Sequence, residues 1–296
     1  MEKVLITGSN GQLGSDCFNL FNAQNNLQEV MGLDIPVIDF SDKKQCFDLL
    51  NSYVPNVIIN CAAYTAVDKC ESDKNCWRAN FDIPDYLSSW SSQNDAFLIH
   101  ISTDYVFDGK KSLNEVYTEL DAVNPVSEYG RSKLEGEKII QKNMSNFAIL
   151  RTAWLYGMRG NNFLKTILKL SNDKNDKSIK IVNDQFGSPT SSKTLAKQID
   201  RVYQNKLKGI YHATSEGKCS WYDFAVACVE EMDIKNLFIP CQTNEYPTPA
   251  KRPNNSVLEN SNFKKINENC FTDWKNELKD FISCNRDLLI KELNLS

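Results

Sequence analysis

Tyr129 and Lys133 stand four residues apart in "SEYGRSKLEGEK", residues 127–138, a run otherwise made of charged and small helix-forming residues. On an α-helix this spacing places both side chains on one face, so a phenol and an ammonium can share a site. A phenol ordinarily loses its proton at about pH 10; a neighbouring cation favours the phenolate and makes the hydroxyl a usable acid or base nearer neutrality. The same pair also describes a solvated surface helix, and only its surroundings separate the two. Upstream, "HISTDYVFDG" puts Thr103 and Asp104 at the end of an apolar run. They fit a Ser/Thr or Asx turn after a strand. They also fit a hydroxyl donor that holds a carbonyl oxygen, with an acid beside it, while Tyr129 delivers a proton. That second combination is what hydride reduction of a ketone requires.

Such chemistry needs a hydride carrier, and the N-terminal segment "TGSNGQLGSD" offers a place for one. Gly8, Gly11 and Gly14 form a Gly-x-x-Gly-x-x-Gly turn directly after the first apolar run. Glycines there let backbone N–H groups approach a pyrophosphate at a helix N-terminus, where the helix dipole favours negative charge. Asp34 ends the second apolar run. It could accept ribose hydroxyls or simply close a strand-end turn.

The elements that position these residues are legible as alternating patterns. Short β-branched runs, "KVLITG", "EVMGLD", "NVIINCAA", "FLIHIST" and "FAILRT", alternate with helix-length segments over 12–22, 42–52, 77–93 and 129–143. Continuous apolar strands separated by helices predict an α/β fold, a doubly wound parallel (Rossmann) sheet covered on both faces. In such a sheet the carboxyl ends of the strands border the ligand crevice, which is where Thr103 and Asp104 emerge. After the polar link "SNDKNDKS", the run "IKIVND" reads as a strand returning to the same sheet. The remainder is less regular, with "YPTPAKRP" a proline-rich loop and a terminal helix over 274–293. The expected organisation is a dinucleotide-binding unit, 1–151 and 178–213, and a smaller C-terminal α/β substrate-binding unit, 152–177 and 214–296.

Composition narrows the partners. With 41% apolar residues the 296-residue chain can bury a sizeable core, and 34 basic against 38 acidic side chains leave a net charge of −4 with no long basic block. Nucleic acid is therefore not an expected partner. The apolar run before Gly8 is too short for a secretory signal, and no later stretch approaches a membrane span, so a cytoplasmic protein is expected. The ten cysteines include no Cys-x-x-Cys and read as free thiols, several of them, such as Cys17, Cys46 and Cys228, within apolar helical patterns. With only two histidines, His100 and His212, both inside strand-like runs, a zinc site has little to draw on.

In kind and order these motifs resemble the extended short-chain dehydrogenase/reductases. More narrowly, "NCAAYTAVDKCE", "STDYVFDG", "YGRSKLEGE", "RTAWLYG", "GNNFLKTIL", "NDQFGSPT" and "YPTPAKRPNNS" are similar to successive blocks of the dTDP-4-dehydrorhamnose reductase (dTDP-L-rhamnose synthase) family, over nearly the whole chain. The resemblance implies reduction of the C4 ketone of a dTDP-linked 4-keto-6-deoxyhexose, dTDP-4-dehydro-L-rhamnose, to dTDP-L-rhamnose by NADH or NADPH. It implies Thr103, Tyr129 and Lys133 as a catalytic triad with Asp104 beside it, Lys133 also holding the nicotinamide ribose. Cofactor contacts would come from Gly8, Asn10, Gly11, Gln12, Leu13, Gly14, Asp34, Cys61, Ala62, Ala63 and Tyr64, with Asp39 and Phe40 near the adenine. The second unit would bind the nucleotide-sugar through Trp154, Asn162, Gln185 and Arg252. Hinge packing for Trp154, a helix cap for Asn162 and a surface cation for Arg252 are the plain alternatives. Some relatives dimerise through a divalent ion held by acids near the first helix, near "GSPT" and at the C-terminus. Here Asp16 stands at the first place but "GSPTSSK" brings Lys193 to the second, so no metal is expected, and a monomer or homodimer is. Two other readings stay open: a reductase or epimerase for another nucleotide-linked sugar, and a non-catalytic regulatory subunit of the methionine adenosyltransferase type. Intact Thr103, Tyr129 and Lys133 count against the latter.

Overall fold

The structure, a computed structural model, describes residues 1–24, 28–172, 178–235 and 238–295. Six strands form one parallel sheet: β1 (Glu2–Thr7), β2 (Gln28–Leu33), β3 (Val57–Asn60), β4 (Phe97–Thr103), β5 (Phe147–Thr152) and β6 (Gly209–His212). Their order is β6-β5-β4-β3-β1-β2, so the winding reverses between β1 and β3 and opens a crevice at the carboxyl ends. The main helices are α1 (Gln12–Ala23), α2 (Lys43–Tyr53), α3 (Ile83–Gln93), α4 (Glu128–Asn143), α5 (Phe163–Ser171), α6 (Ser192–Gln204), α7 (Trp221–Glu231) and α8 (Trp274–Leu293). The expected doubly wound sheet, its first five strands and the terminal helix are all present. The segment 77–93 differs in one respect: a π-helical turn, Arg78–Asp82, precedes α3.

Strand residues alternate between two apolar layers. Val4, Ile6, Ile59 and Ile99 pack with Leu13, Cys17 and Phe21 of α1 and Leu195, Ile199 and Val202 of α6. Leu5, Ile58, Leu98 and Ile149 pack with Leu50 of α2, Leu87 and Trp90 of α3 and Ile140 of α4. Burial on both faces is why these strands read as unbroken apolar runs. Helix starts follow local chemistry: the Asp42 carboxylate accepts the N–H of Gln45, and the Ser127 hydroxyl accepts that of Gly130.

A second cluster joins α5, α7 and α8 through Leu164, Ile167, Phe224, Cys228, Trp274, Leu278 and Phe281. The run Ile179–Val182, expected to return to the main sheet, instead pairs in parallel with Phe238–Cys241, and Ile181 and Phe238 bury their side chains in this second cluster. The strand that does return is β6, whose "GIYH" is short and begins with glycine, a weak strand signal. Most of the polar link before Ile179, residues 173–177, lies outside the described residues. The reading of all cysteines as free thiols is also corrected: Cys70 and Cys76 form a disulfide, their Cα atoms brought to 5.2 Å by a compact turn rather than a Cys-x-x-Cys spacing. Cys17, Cys46 and Cys228 are buried and free. No helix among the described residues is long and apolar enough to cross a membrane.

One buried ion pair fastens α4 to the sheet. Arg151 of β5 donates from Nη2 and Nε to the two Glu137 carboxylate oxygens at 2.7 and 2.9 Å, and the Ser102 hydroxyl of β4 donates to Glu137 Oε1 at 2.5 Å. Glu137 is 0% and Arg151 4% exposed. Breaking such a pair leaves an uncompensated interior charge, so Glu137→Ala is expected to lose about 3–5 kcal/mol of stability in urea unfolding. A loss below about 1 kcal/mol, the range of surface pairs, would contradict this role.

Candidate active site

The crevice is built where β1, β3 and β4 end. Gly8 adopts φ +65° and packs so closely on the segment after β3 that a Cβ would lie 2.8 Å from the Ala62 nitrogen. At Gly14 a Cβ would lie 2.1 Å from the Gly8 carbonyl oxygen. Both positions therefore require glycine, and the turn they form delivers the N-terminus of α1 to the crevice. Gln12 and Leu13 start α1, and the Gln12 amide donates to the Leu155 carbonyl at 2.9 Å. Asp34, just past β2, accepts the Asn10 N–H at 3.1 Å and its neighbour Ile35 N–H at 2.8 Å, so its carboxylate lies against the glycine-rich turn. Cys61, Ala62, Ala63 and Tyr64 continue from β3, with Ala62 N–H donating to the Thr7 hydroxyl at 3.2 Å. Phe40 is buried beneath α2, and Asp39 folds onto Ser41 at 2.6 Å with Arg78 3.9 Å away.

Thr103 ends β4 and its hydroxyl donates to Asp104 Oδ1 at 3.0 Å. Tyr129 comes from the first turn of α4, and its phenol lies near enough to Thr103 and Asp104 for both to act on it. All three are at least nine-tenths buried. Burial pushes the Tyr129 phenol up to about 12, with Thr103 opposing and Asp104 adding to the rise. Burial also lifts the Asp104 carboxyl to about 6, opposed by the nearby Ser256 hydroxyl and by the hydrogen bond from Thr103. Lys133 lies one turn along α4, fully inside, where burial draws its ammonium down to about 8 despite the favourable charges of Glu137 and Cys61. Its Nζ donates to the Ile101 carbonyl at 2.6 Å and meets His100 Nε2 at 3.4 Å. The expected lowering of the phenol by Lys133 thus does not govern here: desolvation does, and it keeps Tyr129 protonated. A protonated phenol beside a hydroxyl at a strand end can give its proton to an oxygen held between them.

The second-unit candidates separate. Trp154 has φ +47° and stacks on Trp221 with ring centroids 3.5 Å apart and planes 6° from parallel, over Gly187, where a Cβ would lie 2.4 Å from the indole. A strained aromatic held by another aromatic suits a fixed wall. Asn162 is the N-cap of α5: its oxygen accepts the Lys165 N–H at 3.0 Å while its amide donates to Gly157 O and Gln12 Oε1 at 2.8 and 2.7 Å. It is a cap and a tie to the glycine-rich turn. Gln185 is buried and donates to the Thr243 hydroxyl at 3.0 Å. Arg252 is no free surface cation: it forms a bidentate pair with Asp68 at 3.0 and 2.9 Å, and its charge acts on the half-buried Tyr105.

Four contributors escaped the sequence reading. Tyr105 packs edge-on to Tyr129 at 5.5 Å, Trp221 supports Trp154, Asp68 holds Arg252, and His100 faces Lys133. Only Tyr105, two residues from Thr103, carried a local signal. Asp16 accepts from Ser192 at 2.5 Å, and among the described residues no group of three or more His, Cys, Asp or Glu is placed to hold a metal ion.

A parallel sheet with a glycine-rich first turn, a threonine at the end of β4 and a Tyr-x-x-x-Lys on the next long helix defines an extended short-chain dehydrogenase/reductase. The comparisons are narrower. Residues 1–286 match the model of the RmlD substrate binding domain family. A dTDP-4-dehydrorhamnose reductase of Aggregatibacter actinomycetemcomitans is 38% identical over 95% of this chain and 98% of its own. The crystal structure of a dTDP-4-dehydrorhamnose reductase from Clostridium acetobutylicum superposes with a TM-score of 0.91 at 41% identity, covering 96% and 99% of the two chains. That of a Bacillus anthracis dTDP-4-dehydrorhamnose reductase in complex with NADP gives 0.89 at 33%, covering 95% and 98%. The chain belongs to the RmlD, or dTDP-4-dehydrorhamnose reductase, family.

The Gly14 contact makes a direct test of the turn. Gly14→Ala must displace the Gly8 carbonyl, and NADH affinity measured by fluorescence titration is expected to fall about tenfold or more. Unchanged affinity in a normally folded variant would remove the turn from the binding site.

Proposed function

We propose that this chain reduces the C4 ketone of dTDP-4-dehydro-L-rhamnose to dTDP-L-rhamnose, using NADPH or NADH. The observation that carries the reading is full-length membership of the reductase family together with Thr103, Tyr129 and Lys133 converging at the end of β4. The nicotinamide supplies a hydride to the carbonyl carbon when bound. The glycine-rich turn, with its backbone cradle at Gly8 and Gly14, fits the cofactor's pyrophosphate, and Lys133 its nicotinamide ribose.

The chain's own residues handle the oxygen. Thr103 and Tyr129 hold the carbonyl oxygen between two hydroxyls, and as negative charge develops there Tyr129 gives up its phenolic proton. The lysine cation stabilises the phenolate that remains. The single Thr103 hydroxyl proton, given to Asp104 in this structure, turns to the carbonyl oxygen when substrate is bound. Buried surroundings keep water from competing for these bonds. In the second unit, the Trp154–Trp221 stack forms a wall for the sugar, and Arg252 exchanges Asp68 for the diphosphate. The working division places 1–151 and 178–213 with the dinucleotide and 152–177 and 214–296 with the nucleotide-sugar, modified by the second-cluster packing of 179–182.

Turnover of dTDP-, GDP- and UDP-linked 4-keto sugars, followed at the nicotinamide absorbance with the product sugar identified, tests the substrate. The dTDP-sugar is expected to be preferred; failure with it beside turnover of another nucleotide overturns the reading. Tyr129→Phe in the same assay should lower kcat by about 10²- to 10⁴-fold with little change in KM. Near-normal turnover would sink the mechanism. For the cofactor, Asp34 beside the glycine-rich turn repels a 2′-phosphate, while Lys44 is engaged by Asp48 at 2.7 Å. NADH is expected to serve at least as well as NADPH in steady-state kinetics, and a strong NADPH preference would contradict that role of Asp34.

A further inference from the structure

Behind Lys133 runs a row of polar side chains that an apolar sheet interior does not call for. Thr7, Asn60 and His100 lie on the adjacent strands β1, β3 and β4 in direct register, Thr7 opposite Asn60 and Asn60 opposite His100. None is more than 1% exposed. The Thr7 hydroxyl donates to Asn60 Oδ1 at 2.6 Å, the Asn60 amide meets His100 Nδ1 at 3.0 Å, and His100 Nε2 meets Lys133 Nζ at 3.4 Å. One residue pair earlier on the same face stand Leu5, Ile58 and Leu98. Polar groups so deep are tolerated only when hydrogen-bonded, and this row is bonded end to end toward the lysine.

The chemistry of the row suits an amine that changes charge. Burial and the Lys133 charge hold the His100 pKa well below the usual range, so the ring is neutral and presents one donor and one acceptor nitrogen. Asn60 sets which is which. With its amide nitrogen toward Nδ1, Nε2 carries the proton and donates to a neutral lysine. With the amide turned over, Nδ1–H donates to the Asn60 oxygen and Nε2 accepts from the ammonium. Each lysine charge state thus has a matching setting of the row. The other ionisable groups acting on the lysine are Glu137, committed to Arg151, and Cys61; Asp104 acts on the Tyr129 side. The remaining bond to Lys133 is that of the Ile101 carbonyl, which can accept but never donate.

We propose that His100 is a positioning residue for the reaction: held by Asn60 and Thr7, its ring bonds Lys133 Nζ in both charge states and keeps the amine at the site while its proton comes and goes. This rests on the reading that Tyr129 gives the proton and that the Lys133 cation supports it.

The test is the pH dependence of kcat and of NADH affinity in the full-length protein, from about pH 6 to about pH 10. In the unaltered chain both fall on the basic side as Lys133 loses its proton near about 8. His100→Leu removes an acceptor from the ammonium and is expected to move that limb down by about one pH unit. His100→Gln, whose amide can both donate and accept, is expected to restore it to within about half a unit. Thr7→Val, at the far end of the row, should move it in the same direction by less. An unmoved limb in folded His100→Leu, or equal displacement in His100→Leu and His100→Gln, overturns the proposal. If His100→Leu does not fold, an unmoved limb in Thr7→Val overturns it instead. Tyr129→Phe separates the two ideas: full turnover in that variant defeats the underlying reading, whereas its inactivity beside an unmoved His100→Leu limb defeats only the role of His100.

Discussion

A cation kept out of water is the constraint around which this site is arranged. Lys133 is 2% exposed, and an ammonium in that position is tolerated only where acceptors replace its hydration. The strand end provides them, through the Ile101 carbonyl and the His100 ring. Its proton is consequently held more loosely than that of a surface lysine, yet it stays on at neutral pH. The phenol four residues earlier is shifted in the opposite sense by the same burial. One low-dielectric pocket thus keeps a phenol protonated and weakens a lysine cation without discharging it at neutral pH.

Delivering that lysine depends on how closely α4 approaches its neighbours. A Cβ at Gly130 would lie 2.2 Å from the Tyr105 carbonyl oxygen, and one at Gly136 2.3 Å from that of Asn80. Backbone therefore meets backbone along this face, and Glu137 completes the attachment through Arg151 and Ser102. With the helix fixed at its glycines and at its carboxylate, Tyr129 falls beside Thr103. The geometry of Tyr129, Lys133 and Thr103 follows from the docking of a whole helix rather than from any single side chain.

The contacts of Arg252 and Trp154 join distant pieces of chain. Arg252 reaches Asp68 from the proline-rich loop, and Trp221 supports Trp154 across the second cluster. Trp154 accepts a left-handed backbone that an aromatic residue rarely adopts, and its stacking offsets that cost. Such contacts carry no periodicity and no local spacing; they depend on the tertiary packing.

What the sequence determined by itself was whatever repeats at short range. Apolar runs of strand length alternating with helical patterns specified the doubly wound sheet; Gly8, Gly11 and Gly14 marked the turn; the i, i+4 spacing of Tyr129 and Lys133 set them on one helical face. Family likeness then supplied roles that spacing alone left open. Tertiary structure decided the rest. Nothing local distinguishes Ile179–Val182 from a strand of the main sheet, and only the apolar surface offered by α7 sends it to Phe238–Cys241. Nothing local shows that the Asn162 amide reaches Gln12, that Cys70 meets Cys76, or that His100 turns toward Lys133 rather than into plain core packing. Each depends on which groups are left together when water is removed, and desolvation is a property of the packed chain, not of neighbouring residues along it.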